Sequence, residues 1–220
     1  MTKKIDINKL KLYIIKSHTL LKNLNSLEEL YNFIDNLIII SKIIYPQIKC
    51  KKGCTLCCKT GSTPIFEIEW QNIKLFLDNT EKENLMIIRS RFEENFLPNR
   101  DLFESYELDS GERLKIFVIK NTISCPFLNS EENKCDIYNI RPLRCRTFGL
   151  FVRKELFINN TTGERFHGYA VLTCSEEIRR WDNFFKNIND PRIFLPIHNY
   201  FEDKLIEFNN KIIINHYFYT

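Results

Sequence analysis

Apolar residues recur at steps of three and four along much of this chain. Leu30, Phe33, Ile34, Leu37 and Ile38 follow Ser26-Leu27-Glu28-Glu29, where the Ser26 hydroxyl can accept from a first-turn N–H while Glu29 reaches back. This predicts a helix from about Leu27 to Tyr45. The same period returns in Leu85, Ile88, Phe92 and Phe96 behind Thr80-Glu81-Lys82-Glu83, until Pro98 stops it. Further on, Ser175-Glu176-Glu177 places acids in a first turn ahead of Ile178, Trp181, Phe185 and Ile188. Phe201, Leu205, Phe208 and Ile212 make a last stripe in the tail.

Between the helical stretches the preference changes. Arg113 to Lys120, Leu150 to Ile158 and Phe166 to Leu172 are rich in β-branched and aromatic residues and predict short strands. The expected fold class is therefore α+β, mostly helical, with a small antiparallel sheet and a cysteine-rich metal-binding core flanked by amphipathic helices. The expected organisation is a single domain over 1–220. Within it, 1–48 form a helical N-terminal segment, 49–174 a cysteine-cluster core and 175–220 a helical C-terminal segment.

Composition narrows the function classes. A 220-residue chain with 44% hydrophobic residues can bury a core, and 27% charged residues with no long apolar run exclude membrane insertion. The opening Met1-Thr2-Lys3-Lys4-Ile5-Asp6 lacks the pattern of a secretory signal, so the expected location is cytoplasmic. A formal charge of +4 is too small to signal a dedicated nucleic-acid binder. No glycine-rich phosphate loop, H-E-x-x-H helix or serine–histidine–acid pattern is present, which leaves nucleotide binding and hydrolysis without a signature.

Eight cysteines change the picture, because in a reducing compartment thiols more often serve metal or redox chemistry than disulfides. Cys50-Lys51-Lys52-Gly53-Cys54-Thr55-Leu56-Cys57-Cys58 packs four of them into one turn-rich block in which Gly53 permits the bend. Cys125, Cys135, Cys145 and Cys174 follow. Thiolates are soft donors suited to zinc or an iron–sulfur cluster, so all eight are candidate metal ligands. They suffice for two four-thiolate sites or for one cluster with thiols left over. An iron–sulfur cluster is expected ahead of zinc, because the neighbouring side chains of Cys57 and Cys58 project differently and can serve separate irons. The spacing of Cys50, Cys54 and Cys57 also matches that of radical S-adenosylmethionine enzymes. Leu56 in place of an aromatic, the extra Cys58 and the lack of repeated strand–helix units argue against that reading.

Four ordered blocks carry a resemblance: Cys50 to Cys58, Cys125-Pro126-Phe127-Leu128, Cys135-Asp136-Ile137-Tyr138 and Arg141-Pro142-Leu143-Arg144-Cys145-Arg146-Thr147-Phe148. Together they resemble the YkgJ-type cysteine-cluster family, the C-x-x-C-x-x-C-C domain, over about 50 to 148. Three residues rather than two separate Cys50 from Cys54. The resemblance implies a proposed zinc- or iron-chelating domain. A similar cysteine block occurs in flagellin lysine N-methylases, which implies an iron–sulfur centre and a methyl-donor partnership, although no S-adenosylmethionine signature is found here.

Lys49, Lys51, Lys52 and Lys59 surround the first cysteine block, and Arg141, Arg144, Arg146, Arg153 and Lys154 lie around Cys145. Cations beside thiolates stabilise them and lower their pKa, so Arg141, Arg144 and Arg146 are expected at the bound cofactor. The alternative is a solvated basic face. His167 is either an extra ligand or proton carrier, or a hydrogen-bonded strand histidine, and Tyr138 is expected to pack its ring beside the ligand loop. Two functions follow: an iron–sulfur protein with a redox role or a role supporting a modification reaction, or a zinc-stapled noncatalytic interaction module. Beyond the metal, no protein partner or substrate is identified.

Overall fold

The computed structural model describes residues 6–59, 65–95, 98, 124–159, 161–171, 195–209 and 212–213. The strand expected at Arg113–Lys120, the helix expected after Ser175 and Cys174 itself lie outside them. The described helices are α1 (Ile7–Leu20), α2 (Leu27–Ile44), α3 (Glu67–Asp78), α4 (Lys82–Asn95), α5 (Leu143–Thr147) and α6 (His198–Asn209). The described strands are β1 (Ile65–Phe66), β2 (Leu128–Asn129), β3 (Lys134–Cys135), β4 (Val152–Ile158), β5 (Arg165–Val171) and β6 (Ile212–Ile213). The architecture is α+β and mostly helical, with the strands in antiparallel pairs. Among the described residues no helix is long and apolar enough to cross a membrane.

The chain divides into two compact units, one of Met1–Cys50 with Arg146–Phe208 and the other of Lys51–Cys145 with Asn209–Thr220. In the first, Asp6 caps α1 by accepting from the backbone N–H of Asn8 and Lys9 at 3.1 and 3.2 Å. Ser26 caps α2 through Glu29 N at 3.1 Å as the pattern predicts, while the Glu29 carboxylate returns one residue further, to Asn25 N at 2.7 Å. The apolar stripe of α2 buries Leu30, Ile34 and Leu37 completely. Phe33 stacks between Tyr13 of α1 and Phe201 of α6, each with ring centroids 6.4 Å apart, and Phe201 also meets Phe151 at 5.2 Å.

A two-stranded ribbon leaves this core, in register from Val152↔Val171 to Ile158↔Arg165, so both strands predicted here form with shifts of one or two residues. The other edge of β4 is covered. Val152 N donates to Pro196 O at 3.0 Å, and Asn199 accepts from Lys154 N at 2.7 Å. His198, fully buried, lies 2.9 Å from the Thr147 hydroxyl through Nδ1 and 3.0 Å from Glu202 Oε1 through Nε2. His167 is exposed on β5 of this same unit.

Arg146 also belongs to this unit. Only 3% exposed, its guanidinium sits 4.0 Å above the Tyr31 ring and donates to Asp35 Oδ2 at 2.8 Å. This removes Arg146 from a solvated surface. Asp35 is 47% exposed and can be rehydrated, so most of the loss on mutation comes from packing and the cation–π contact rather than the ion pair. Arg146→Gln is expected to cost about 2 kcal/mol, a fall of about 5 °C in melting temperature by circular dichroism.

In the second unit, Ile65, Ile73, Leu77, Ile88, Phe127 and Ile137 form a buried cluster against which Trp70, Leu85, Cys125, Cys135 and Ile140 pack. The tail departs from expectation. After α6 the chain does not continue its helical stripe to Ile212; instead β6 pairs with β1 through Ile65↔Ile213 and Phe66↔Ile212. Three successive β-branched isoleucines, Ile212 to Ile214, favour extended backbone over another helical turn. Helix α3, which no capping residue announces, is started by Glu69. Its Oε2 accepts from Phe66 N at 2.9 Å, and because Phe66 has no side-chain acceptor only this returning half of a capping box is made.

Candidate metal centre

The cysteines reach the second unit on short, irregular pieces of chain. Cys54 N donates to Lys51 O at 3.0 Å, closing a tight turn that needs a positive φ at its third residue, and Gly53 supplies it at +85°. The next turn hydrogen-bonds Cys58 N to Thr55 O at 3.0 Å and leads into a 3₁₀ turn, Cys57–Lys59. There Cys57 and Cys58 bring their Sγ atoms to 3.9 Å. The first cysteine block is then joined to the second, because Cys125 N donates to Cys58 O at 2.8 Å.

Cys125 begins a turn closed by Leu128 N to Cys125 O at 3.0 Å, and the β2–β3 hairpin places Leu128 opposite Cys135. Arg91 of α4 holds the base of this hairpin through Asp136, with Nη1 to Oδ2 at 2.7 Å. Beyond the 3₁₀ turn Tyr138–Ile140, α5 brings in Cys145. Its first residue is fixed by a buried carboxylate: Leu143 N donates to Glu69 Oε1 at 2.6 Å. Neither Glu69 nor the Arg91–Asp136 pair stands out in the sequence. The only signal for Glu69 is an acid at the third position of a helix.

Cys57, Cys125, Cys135 and Cys145 lie close enough for each thiolate to be felt by the other three. Burial pushes the Cys125 thiol up to about 12 and the Cys135 thiol up to about 11, with the charges of neighbouring thiolates adding to the rise. Burial also raises Cys145 well above its ordinary value, followed by Cys125, Cys57, Cys135 and Glu69. Cys57 is raised first by its hydrogen bond to Cys58 and then by burial. The expected lowering by a flanking cation is seen at Cys135 but is outweighed by burial. Desolvation dominates, and Arg141 only partly offsets it at Cys135.

The other candidates are distributed differently. Cys50 lies in the first unit, its thiol donating to Phe148 O at 3.5 Å. Cys54 is half-buried in its turn, Arg144 half-buried on α5, and Arg141 lies over the Tyr138 ring. None of the described cysteines forms a disulfide.

The donor set is all sulfur, half-buried and drawn from separate stretches of chain, which fits a thiophilic metal. Among the described residues no three His, Cys, Asp or Glu side chains stand as a ready-made metal cage. A family model covers residues 49–166 of the chain, that of CxxCxxCC, described as "Putative zinc- or iron-chelating domain". The chain belongs to the CxxCxxCC family. The matched stretch includes every cysteine of the gathered set, and the family's chelating chemistry agrees with the donors found here. No curated protein and no solved structure matches the chain.

Proposed function

We propose that this CxxCxxCC protein is a metal-binding module whose ion is held by Cys57, Cys125, Cys135 and Cys145, and that the ion cross-links the four pieces of chain carrying them. The observation that carries this reading is the convergence of the four half-buried cysteines on a 3₁₀ turn, a loop, a two-residue strand and a five-residue helix. Such pieces bury little surface by themselves, so ligation contributes directly to their folding. Cys58 provides a fifth donor. Its Sγ lies 3.9 Å from that of Cys57, so either of the two can serve as the ligand from this turn. Four thiols on four pieces of chain match the four ligands of a tetrahedral ion, so zinc, or a single iron in the same thiolate geometry, is the first reading.

The second reading is an iron–sulfur centre with redox work, favoured by a donor set that is entirely thiol and exceeds the four that one zinc needs. Anaerobic purification followed by zinc, iron and acid-labile sulfide analysis separates the two. About one zinc or iron per chain without sulfide is expected, lost in Cys125→Ser and Cys145→Ser and kept in Cys50→Ser. Iron with stoichiometric sulfide would replace the first reading by the second, and a metal-free wild-type protein would reject both.

A further inference from the structure

Arg91 lies on α4 three residues after Ile88, so the two side chains share one face of the helix. Ile88 belongs to the buried cluster that also holds Phe127 and Ile137. Those two residues bracket the β2–β3 hairpin, Phe127 just before Leu128 and Ile137 just after Asp136. One turn of α4 beyond Ile88, Arg91 Nη1 donates to Asp136 Oδ2 at 2.7 Å, with the two side chains only 22% and 19% exposed. A charge-assisted bond this short and this sheltered is directional and poorly screened by solvent. Helix α4 therefore grips the base of the hairpin twice, by an apolar side chain and by an ion pair.

Asp136 is where two ligand-bearing segments meet. It follows Cys135 directly in the chain, and its N–H donates to Phe127 O at 2.9 Å. Phe127 sits in the turn that Leu128 N closes on Cys125 O at 3.0 Å. A shift of Asp136 thus reaches Cys135 through one peptide bond and the Cys125 turn through one hydrogen bond. With two residues in each strand, the hairpin is too short to hold its own place.

We infer that Arg91, clamped on Asp136, is the positioning residue that sets Cys135 and the Cys125 turn for metal binding. The inference rests on the metal-binding reading above. Arg91 acts through backbone placement, with Asp136 as the intermediary, and needs no contact with sulfur. A tetrahedral ion accepts metal–ligand distances within about 0.2 Å of ideal, so the placement of each ligand-bearing backbone matters. Helix α4 carries no cysteine, and its part in the centre is to hold the hairpin that does. Losing Arg91 leaves the sheltered Asp136 carboxylate without its partner. It regains water only by swinging away from α4, and the hairpin base moves with it.

The test measures zinc affinity of the full chain by competition with a chromophoric chelator at pH 7, with circular dichroism confirming the fold of each variant. Arg91→Met is expected to bind about tenfold more weakly, at the low end of what residues supporting a ligand contribute. Arg91→Lys recovers part of the loss, because it can still meet Asp136 through one N–H. Asp136→Asn alone loses less than Arg91→Met, since the amide oxygen still accepts from Arg91. The double variant Arg91→Met/Asp136→Asn binds more tightly than Arg91→Met, because no unpaired carboxylate remains. Cobalt(II) at saturation reads the geometry directly: thiolate-to-cobalt absorption should weaken in Arg91→Met and return in Arg91→Lys. Arg89, exposed on α4 and 3.8 Å from Glu93, gives the control Arg89→Gln, expected to be unchanged. Four results each overturn the role of Arg91 and leave the centre standing: Arg91→Met within about twofold of wild type, a wild-type cobalt spectrum in Arg91→Met, a double variant no tighter than Arg91→Met, or an equal loss in Arg89→Gln. Wild type that takes up neither zinc, iron nor cobalt overturns the centre itself.

Discussion

Zinc titrated into the reduced protein at pH 7 is expected to expel about four protons per ion bound. The ordinary thiol pKa is 9.0; Cys135 lies near 11, Cys125 near 12, and Cys57 and Cys145 are displaced upward too, so all four enter the reaction as neutral thiols. A metal binds only the thiolate, and each ligand must lose its proton when the ion arrives. Apparent affinity should therefore weaken steeply as pH falls, by up to about 10⁴-fold per unit if all four protons leave together. Calorimetry in two buffers of different ionisation enthalpy counts the protons directly. Release of fewer than two would mean that the thiols are already ionised or that sulfur is not the main donor.

The metal-free protein should respond to alkali in a linked way. Each raised thiol stays neutral in the folded chain while its unfolded counterpart ionises near pH 9. The contribution to stability is thus fully present below pH 9 and is lost as pH rises through 11 and 12, where Cys135 and Cys125 ionise. The apo protein should melt at falling temperature over that window, while metal loading, which already holds the sulfurs as thiolates, should remove the trend.

What the sequence makes legible here is local. Helix α2 can be read from Ser26, Glu29 and an apolar stripe, because a cap and a 3.6-residue period are both short-range signals. Helix α3 could not, since its cap is the apolar Phe66 and its organising acceptor, Glu69, also serves Leu143, 74 residues away. The chemical nature of the site is visible in its cysteines, but their division is not. Cys50 and Cys57 share one block, yet the Cys50 thiol turns to Phe148 O in the first unit while Cys57 joins Cys125, Cys135 and Cys145 in the second. Sequence adjacency misleads for the arginines as well. Residues one apart on a helix point about 100° away from each other, so Arg146 turns toward Tyr31 and Asp35 instead of following the Cys145 thiol.

Replacing Glu69 by alanine is expected to be among the most damaging single changes in the second unit. The side chain is 1% exposed, and its two oxygens take up the N–H groups of Phe66 and Leu143 at 2.9 and 2.6 Å. Alanine leaves both donors buried without an acceptor, at about 1–3 kcal/mol each, and opens a cavity between α3 and α5. A total of about 3–5 kcal/mol corresponds to a melting temperature lower by on the order of 10 °C for a chain of this size. The damage also reaches the metal centre, since Leu143 N fixes the start of α5 and Cys145 lies two residues on. Glu69→Gln should fall between wild type and alanine, because its carbonyl can replace one acceptor while its amide group faces the other N–H with a donor. Thermal melts of the apo and zinc-loaded forms separate the two consequences. If Glu69 staples α3 to α5, the apo protein loses stability and the loaded protein also loses zinc affinity. A shift of less than 2 °C in both forms would show that water satisfies the two N–H groups and that α5 is held elsewhere.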